Sequence, residues 1–407
     1  MAAPVSLNLT SGSALFKTKY EKVTENMYNS ANVLAARVKK RHDFVGDQAL
    51  WSVPLSMGGS VGSGTLPKAN VKSRAKALIT AKKVYGVALI DREAIKAASK
   101  DEGAFVRLTK QSVQDTVESY NRNVSRILFG YGDGSLGTIG AGGVVDNGSG
   151  NYTLTILDVD AIANTTSEMF KEANFEEGDY INIGASTDLF EIQSMDISAK
   201  TITVQRQTGS YIPVAANVLY MQGSKDNDPQ GFRSTLDISS GTLYNIAVQR
   251  RWKAEQKDGG AATITEDMMN EVMLNIEKKF GKVPNLIVAS YEQYRKLLSI
   301  IGSDKRYPVK PRDKKLIGKL SFNGLEFMST MGPVPIFSDR FVEKDRVYFL
   351  NDNFIEVHHR PDFGWFDDDG TVFLRKSDSD EYEARYGGYY ENLIIPTAHG
   401  VLHNLAV

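Results

Sequence analysis

Five histidines are the side chains in this sequence most able to bind a metal ion or to move a proton near neutral pH. His399 and His403 are four residues apart, a spacing that puts two ligands on one face of a helix. Gly400 lies between them, and the β-like run Leu393–Ile395 precedes them, so a helix is not favoured there. We therefore expect both histidines to be polar positions on a terminal strand.

Two other groups of metal-ligand residues have the wrong spacing to share an ion. His358 and His359 are adjacent in a strand pattern, so their side chains point to opposite faces. Asp367–Gly370 reads Asp-Asp-Asp-Gly and lacks the alternating acids and the closing Glu of an EF-hand loop. A tight hairpin turn is the better interpretation, although surface calcium binding stays open. The sequence thus identifies no catalytic, cofactor-binding or metal-binding residue.

The glycine-rich run from Gly130 to Gly143 invites comparison with a phosphate-binding loop. Such a loop follows a strand and opens a helix, so that free backbone N–H groups face the anion. Here the order is reversed, because a helical pattern comes before the glycines and strand-like residues come after them. The run therefore predicts a flexible turn and not a nucleotide site.

Composition sets wide limits on the class of protein. The chain has 407 residues, of which 42% are hydrophobic, so it can bury a core and is not a disordered protein. A formal net charge of −1 argues against an obligate nucleic-acid binder, and the lack of cysteine excludes disulfides. Neither a signal peptide nor a long apolar span is present, so we expect synthesis in the cytoplasm and no membrane partner.

The longest helical pattern runs from Asp101 to Phe129. Its apolar residues recur every three or four positions and form one stripe, and Gly130 and Gly132 follow as stop signals. At about 1.5 Å per residue, this helix is a rod of roughly 40 Å.

A second amphipathic helix is predicted over residues 13–41, at the start of the chain. Its apolar stripe consists of Leu15, Tyr20, Val23, Met27, Ala31, Leu34 and Val38. The pattern ends in a basic run, and residues 1–46 together hold seven Lys or Arg against three Asp or Glu. The basic end is either a solvated helix terminus or an arm that lies on an anionic partner.

A long hairpin is predicted between these two helices. Residues 49–55 are extended, residues 56–64 are rich in glycine and serine, and residues 69–87 return with lysine and arginine but no acid. A two-stranded ribbon is only marginally stable alone in water, so a neighbouring subunit would have to supply its remaining contacts. The alternative is an ordinary surface loop.

Residues 148–223 resemble an inserted module of five short strands, which suggests a small barrel or sandwich. Residues 225–345 are mixed α/β, with a capping box at Thr263–Glu266, a buried strand at Asn285–Ala289 and a helix that starts at Ser290. Residues 302–315 form a basic loop. The last part is strand-rich, and ten acids against three bases between Asp352 and Glu383 make it acidic enough to face a neighbour's basic ribbon.

This order of parts resembles the HK97-type major capsid protein. Three short sequence segments are also similar to that family: Leu128–Gly132 at the end of the long helix, Tyr85–Asp91 before it, and Asn285–Tyr291 in the α/β region. The resemblance implies an α+β, HK97-like capsid fold with an inserted small β-rich domain. The implied parts are the N-terminal arm (1–46), the E-loop ribbon (47–88), the spine helix and linker of the P-domain (89–147), the inserted domain (148–224), the A-domain (225–345), and the P-domain strands that return to the A-domain (346–407).

The resemblance also implies a function without catalysis. Copies of the chain would assemble into pentamers and hexamers of an icosahedral head that encloses double-stranded DNA. Expected partners are further copies, a separate scaffolding protein, a portal, a decoration protein, and packaged DNA through weak contacts; the expected location is the virion. The alternatives are an encapsulin-like compartment shell, a tail or baseplate protein, and an enzyme built on the inserted module.

Overall fold

A computed structural model of the chain describes residues 34, 37–42, 44, 48–55, 74–91, 102–157, 171–304, 325–330, 332–366, 372, 374–375 and 380–407. The chain divides into two compact units. Unit 1 comprises Met1–Ala49, Thr80–Arg126 and Glu356–Asn392, and unit 2 comprises Leu50–Ile79, Ile127–Ile355 and Leu393–Val407. No helix among the described residues has the length and apolar character to cross a membrane.

Four α-helices and 21 strands are described. The helices are α1 (Glu102–Leu128), α2 (Phe232–Leu236), α3 (Glu266–Phe280) and α4 (Tyr291–Asp304). The strands are β1 (Lys39–Arg41), β2 (Gln48–Pro54), β3 (Arg74–Thr80), β4 (Lys82–Asp91), β5 (Ser135–Gly148), β6 (Asn151–Leu157), β7 (Tyr180–Ile183), β8 (Phe190–Asp196), β9 (Thr201–Arg206), β10 (Val218–Met221), β11 (Thr242–Leu243), β12 (Ile246–Ala247), β13 (Glu255–Ala262), β14 (Leu286–Ala289), β15 (Leu325–Ser329), β16 (Gly332–Ser338), β17 (Val347–Leu350), β18 (Ile355–Trp365), β19 (Leu374–Arg375), β20 (Glu381–Ile394) and β21 (Gly400–Leu405).

Unit 1 combines a five-stranded sheet with helix α1. The strand order is β1-β18-β20-β19, and β4 pairs along β20 in an antiparallel ladder. Gly86 of β4 lets the helix approach closely, because a Cβ at this position would lie 3.1 Å from Thr116 Cγ2. Tyr120 of α1 meets Tyr386 of β20 edge to face, with ring centroids 5.1 Å apart. The apolar stripe of the helix is therefore its contact with the sheet, and the predicted helix Asp101–Phe129 is confirmed to within one residue at each end.

Unit 2 contains a closed six-stranded barrel with the order β10-β5-β6-β9-β8-β7. Every strand contributes apolar side chains to its interior, where Leu154, Ile181, Phe190 and Val204 are fully buried. All five strands predicted between residues 152 and 221 are present. Closure removes the exposed edges of the sheet, so the module hides its backbone polar groups without help from a neighbour.

The sixth barrel strand, β5, corrects the interpretation of the glycine run as a flexible turn. From Ser135 onward the run is a strand, so the barrel begins before residue 148. The ladder with β6 shifts between Ile139 and Val144, which is where a bulge bends the strand. A Cβ at Gly137 would lie 2.8 Å from Ile156 Cγ2, so the glycine is needed for close packing against the next strand.

The rest of unit 2 is built on a six-stranded sheet of order β13-β21-β17-β14-β16-β15. Helix α3 packs on it through Met269, Val272 and Ile276, all fully buried. Its N-cap is Thr265, whose hydroxyl accepts a hydrogen bond from Met268 N at 3.3 Å. The predicted capping box that starts at Thr263 is therefore wrong by two residues.

Two further predictions for this sheet are confirmed. The strand predicted at Asn285–Ala289 is present, and Ser290 accepts a hydrogen bond from Gln293 N at the start of α4 as expected.

The prediction for the N-terminal region is wrong in one part. Lys39–Arg41 is predicted as a helix end, but these residues form strand β1 and pair in parallel with β18. Residues 13–33, the ribbon tip at 56–73 and the basic loop beyond residue 304 lie outside the described residues.

Candidate interaction surfaces

His399 and His403, the two histidines four residues apart, lie in different environments, because His399 is buried and His403 is half-buried. His399 is completely buried, and its Nδ1 accepts a hydrogen bond from Asn351 N at 3.1 Å. Burial lowers the pKa of His399 to about 4, so the ring is neutral at pH 7. His403 lies on β21 as expected, whereas His399 lies just before that strand, so the expectation of a terminal strand is confirmed for His403 only.

His358 and His359 lie on β18 and help to hold strand β1 to the sheet of unit 1. The His359 and His42 ring centroids are 3.8 Å apart, and Arg41 forms an ion pair with Glu356 at 2.8 Å. Across the described part of the chain, no group of three or more His, Asp or Glu is arranged to hold a metal ion. The predicted turn at Asp367–Gly370 lies outside that part.

The ribbon predicted before the long helix forms a two-stranded sheet of β2 and β3. Val53, Ala77 and Ile79 are buried on one side, whereas Leu50 is 65% exposed. Arg74 and Lys76 of β3 are exposed as well. Leu78 N donates a hydrogen bond to Tyr244 O at 3.0 Å, which fixes the base of the ribbon to the β11–β12 turn. The ribbon thus has one anchored side and one basic side that faces solvent.

The sheet of unit 1 has an inner face covered by α1 and an outer face with exposed apolar side chains. Outward-pointing Tyr85, Val87 and Leu89 of β4 are 41%, 51% and 49% exposed. They alternate with buried Val84 and Ala88, as the pleat of a strand requires. We call this side of β4 and β20 the outer face. It carries Lys83, Tyr85, Val87 and Leu89 of β4 and their partners Tyr389, Gly387, Arg385 and Glu383 of β20.

Aromatic contacts reinforce this outer face. Phe366 stacks on Tyr389 with an interplanar angle of 9°, and Tyr85 meets Phe366 edge to face with ring centroids 5.7 Å apart. Lys83 lies over the Tyr389 ring. Exposed apolar residues scattered singly need no explanation, but a contiguous row of this kind is typical of a surface that another polypeptide segment covers.

A buried charge cluster lies within unit 2 and is centred on Glu343, which is only 2% exposed. Lys171 Nζ is 2.9 Å from Glu343 Oε1, and Arg233 Nη1 is 3.4 Å from the same oxygen. The second carboxylate oxygen accepts a hydrogen bond from the Tyr348 hydroxyl at 2.6 Å. Burial alone would raise the pKa of Glu343, but Lys171, Arg233 and Arg346 lower it to about 2. The carboxylate is therefore ionised and satisfied by partners from three separate parts of the chain.

Several elements of unit 2 meet at this charge cluster. Lys171 follows the barrel strand β6 in sequence, Arg233 belongs to α2, and Tyr348 to β17. Next to them, the rings of Phe129, Phe232 and Tyr348 pack together with centroids 5.4 to 5.9 Å apart. Gly231 makes this possible, because a Cβ there would overlap the carbonyl oxygens of Gly130 and Ile127. The segment that leaves the long helix, the inserted segment and the six-stranded sheet are thus joined at one buried point.

Sequence reasoning missed the charge cluster entirely. Lys171 and Glu343 are 172 positions apart, and neither lies in a motif with a known spacing. The one local signal is the run Phe341–Val347, where four consecutive charged residues stand between apolar ones in a largely buried stretch. That pattern indicates buried charges but gives no information about their partners.

Comparisons with known proteins connect this architecture to virus capsids. A family model described as SU10 major capsid protein matches residues 184–406. The capsid subunit of Cyanophage A-1(L) is 10% identical, with a TM-score of 0.53 over 92% of this chain and 93% of that chain. The capsid of a native GTA particle is 9% identical, with a TM-score of 0.46 over 93% and 91%. The capsid of Myoviridae phage XM1 is 10% identical, with a TM-score of 0.43 over 91% of each chain. A search of proteins with curated function finds no match.

Proposed function

Because the chain belongs to the SU10 major capsid protein family, whose model matches more than half of its length, we propose that it assembles into the pentamers and hexamers of an icosahedral head around double-stranded DNA. Capsid formation follows from the family itself, and the likeness to the cyanophage capsid subunit gives the chain its HK97-like fold. The family match to a capsid protein also disfavours the compartment-shell, tail-protein and enzyme alternatives.

The proposed mode of assembly rests on the exposed side of the ribbon β2–β3. Two strands alone do not bury enough surface to be stable, and this ribbon leaves Leu50, Arg74 and Lys76 exposed. A neighbouring subunit that covers this side would supply the missing burial. Many such contacts, each modest, become cooperative when they repeat around a closed shell.

The parts of the fold are assigned on this basis. Residues 1–46 are the N-terminal arm, 47–88 the E-loop as far as β4, which joins the P-domain sheet, and 89–147 the P-domain helix and linker as far as β5. Residues 148–224, together with β5 that completes their barrel, are the inserted domain, 225–345 the A-domain, and 346–407 the P-domain strands with the return to the A-domain. The predicted basic loop 302–315 begins inside α4, and its remainder lies outside the described residues; by the resemblance it would approach the symmetry axis of each pentamer or hexamer.

Further partners belong to the same proposal. A separate scaffolding protein, a portal and a decoration protein would act with the shell, and the packaged DNA would meet it through weak, non-specific contacts. The chain would be made in the host cytoplasm and would act without catalysis, as a structural component of the virion.

Charge reversal on the ribbon tests the proposed role of β2–β3. Arg74→Glu together with Lys76→Glu should abolish shell assembly in sedimentation experiments while the unfolding midpoint of the unassembled chain changes little. Lys257→Glu is the matched control, since Lys257 pairs with Glu271 at a half-exposed position on another element and should leave assembly intact. Normal assembly of the ribbon variant would contradict the proposed contact.

A further inference from the structure

The outer face of the unit 1 sheet exposes aliphatic side chains at one end. Val87 and Leu89 of β4 are 51% and 49% exposed, and they point away from the side on which Gly86 approaches α1. At the other end of the face, Phe366 stacks on Tyr389. A sheet that exposes apolar side chains can bury them against a second sheet, at a separation of about 10 Å. Val87 and Leu89 are therefore the part of the face that a second sheet would cover.

A charged pair lies beside these two aliphatic residues. In the β4–β20 ladder, Arg385 is opposite Val87 and Glu383 is opposite Leu89. Directly opposite residues of antiparallel strands point to the same side of the sheet, so both charges belong to the outer face. Arg385 and Glu383 form an ion pair within the chain, and their side chains are 50% and 15% exposed. The face thus combines an apolar row with a row of one cation and one anion.

This arrangement is complementary to itself. If a second copy is turned by a twofold axis that passes between the two rows, its strands run antiparallel to the first. Val87 of each copy then meets Leu89 of the other, and Arg385 of each copy meets Glu383 of the other. A shift by one pair in either direction would place two arginines or two glutamates together, which is costly. The charges therefore select one register of the two faces.

We propose that two copies of the chain bind each other through their outer faces around this twofold axis. A ring of five or six copies needs contacts in which two different surfaces meet, whereas a surface that binds itself joins a pair. In a shell, this contact would connect neighbouring rings, and that role rests on the proposed function. The contact itself does not depend on the ribbon β2–β3 or on shell formation.

Mixtures of two charge variants test the contact in the unassembled, full-length chain. Arg385→Glu alone and Glu383→Arg alone each bring like charges together, so each should weaken dimer formation roughly tenfold or more. An equal mixture of the two variants should recover dimers in sedimentation experiments, because the reversed positions then face opposite charges. Mixing does not repair the ion pair inside either chain, so recovery reports a contact between chains.

The Lys257–Glu271 pair supplies the matched control, since it is also an exposed ion pair within the chain. Lys257→Glu, Glu271→Lys and their mixture should all form dimers as the unchanged chain does. If the two outer-face variants stay folded and their mixture recovers no dimer, the proposal is wrong. Because dimers are measured without shells, a failure of the proposed shell would leave this result unaffected.

Disulfide trapping gives an independent measurement, because the chain contains no cysteine. Under mild oxidation, a mixture of Val87→Cys and Leu89→Cys chains should form disulfide-linked pairs that revert on reduction. Val145→Cys, at a position 56% exposed on the barrel, should form none with Val87→Cys. Trapping of Val87→Cys by Leu50→Cys instead would assign the face to a neighbour's ribbon and overturn the proposal.

Discussion

Lys171 and Glu343 form an ion pair of 2.9 Å although 172 positions separate them in the chain. Both side chains are at least nine-tenths buried, so water contributes little to their solvation. Removing charges from water is costly, and this cost is offset only because Arg233 and Tyr348 also satisfy the carboxylate. The pair therefore fixes one relative position of the inserted segment and the six-stranded sheet.

Glu343→Gln should lower the free energy of unfolding by about 3–5 kcal/mol, because it leaves Lys171 and Arg233 buried without their counter-charge. Chemical denaturation of the unassembled chain measures this change. Glu271→Gln is the matched control, since the Lys257–Glu271 pair is 35% and 45% exposed and should contribute less than about 1 kcal/mol. Equal losses in the two variants would mean that the buried cluster has no special role.

Acid should destabilise the subunit in two steps. His399 has an ordinary pKa of 6.5 and a folded value of about 4, so the folded state binds fewer protons and stability is lost as the pH falls from 6.5 toward 4. Glu343 has an ordinary value of 4.5 and a folded value of about 2, so its contribution is complete above pH 4.5 and is lost toward pH 2. Unfolding free energies measured across this range test both steps.

His399→Gln should remove the upper of these two steps, because an amide cannot take up a proton there. His403→Gln is the control, since His403 is only partly buried and its variant should keep the loss between pH 6.5 and 4. A pH profile that His399→Gln leaves unchanged would show that another group is responsible.

Gly231→Ala should destabilise the subunit by about 1–3 kcal/mol, the usual cost of forcing an extra group into a packed region. The new Cβ would lie 2.5 Å from Ile127 O, and backbone atoms cannot yield as a side chain can. Gly140→Ala provides the comparison, because its Cβ would make only ordinary contacts with the Leu157 side chain at 3.4 Å. Thermal unfolding distinguishes them, and equal midpoints would show that the helix end and α2 are not tightly packed.

Phe129→Ala should cost about 3–5 kcal/mol, as expected for the loss of a fully buried aromatic ring. The ring packs between Phe232 and Tyr348, so its removal would leave a cavity beside the charge cluster. Leu298→Ala, at a position 48% exposed, should change the unfolding midpoint little. A small effect of Phe129→Ala would mean that the surrounding side chains collapse into the space.

Regular elements with one buried face were predictable from the sequence. The stripe of α1 and the alternation in β6 to β10 follow directly from the periods of helix and strand, because one side of each element is apolar. Strand β5 escaped prediction because its glycines, which the bulge and the close contact with Ile156 require, look locally like a turn. Local composition does not reveal that a backbone must approach its neighbour closely.

Contacts between distant parts of the chain were not predictable. Lys39–Arg41 follows a helical pattern yet forms a strand, because pairing with β18 and the Arg41–Glu356 ion pair outweigh local preference. The Lys171–Glu343 pair has no sequence signature for the same reason. The order of the elements, in contrast, was sufficient to indicate the capsid fold.

Electron microscopy of particles assembled from the purified chain tests the central claim most directly. The account predicts closed shells in which copies cluster around fivefold and sixfold positions, with the ribbon of each copy in contact with a neighbour. Rings or open tubes in place of closed shells would contradict it.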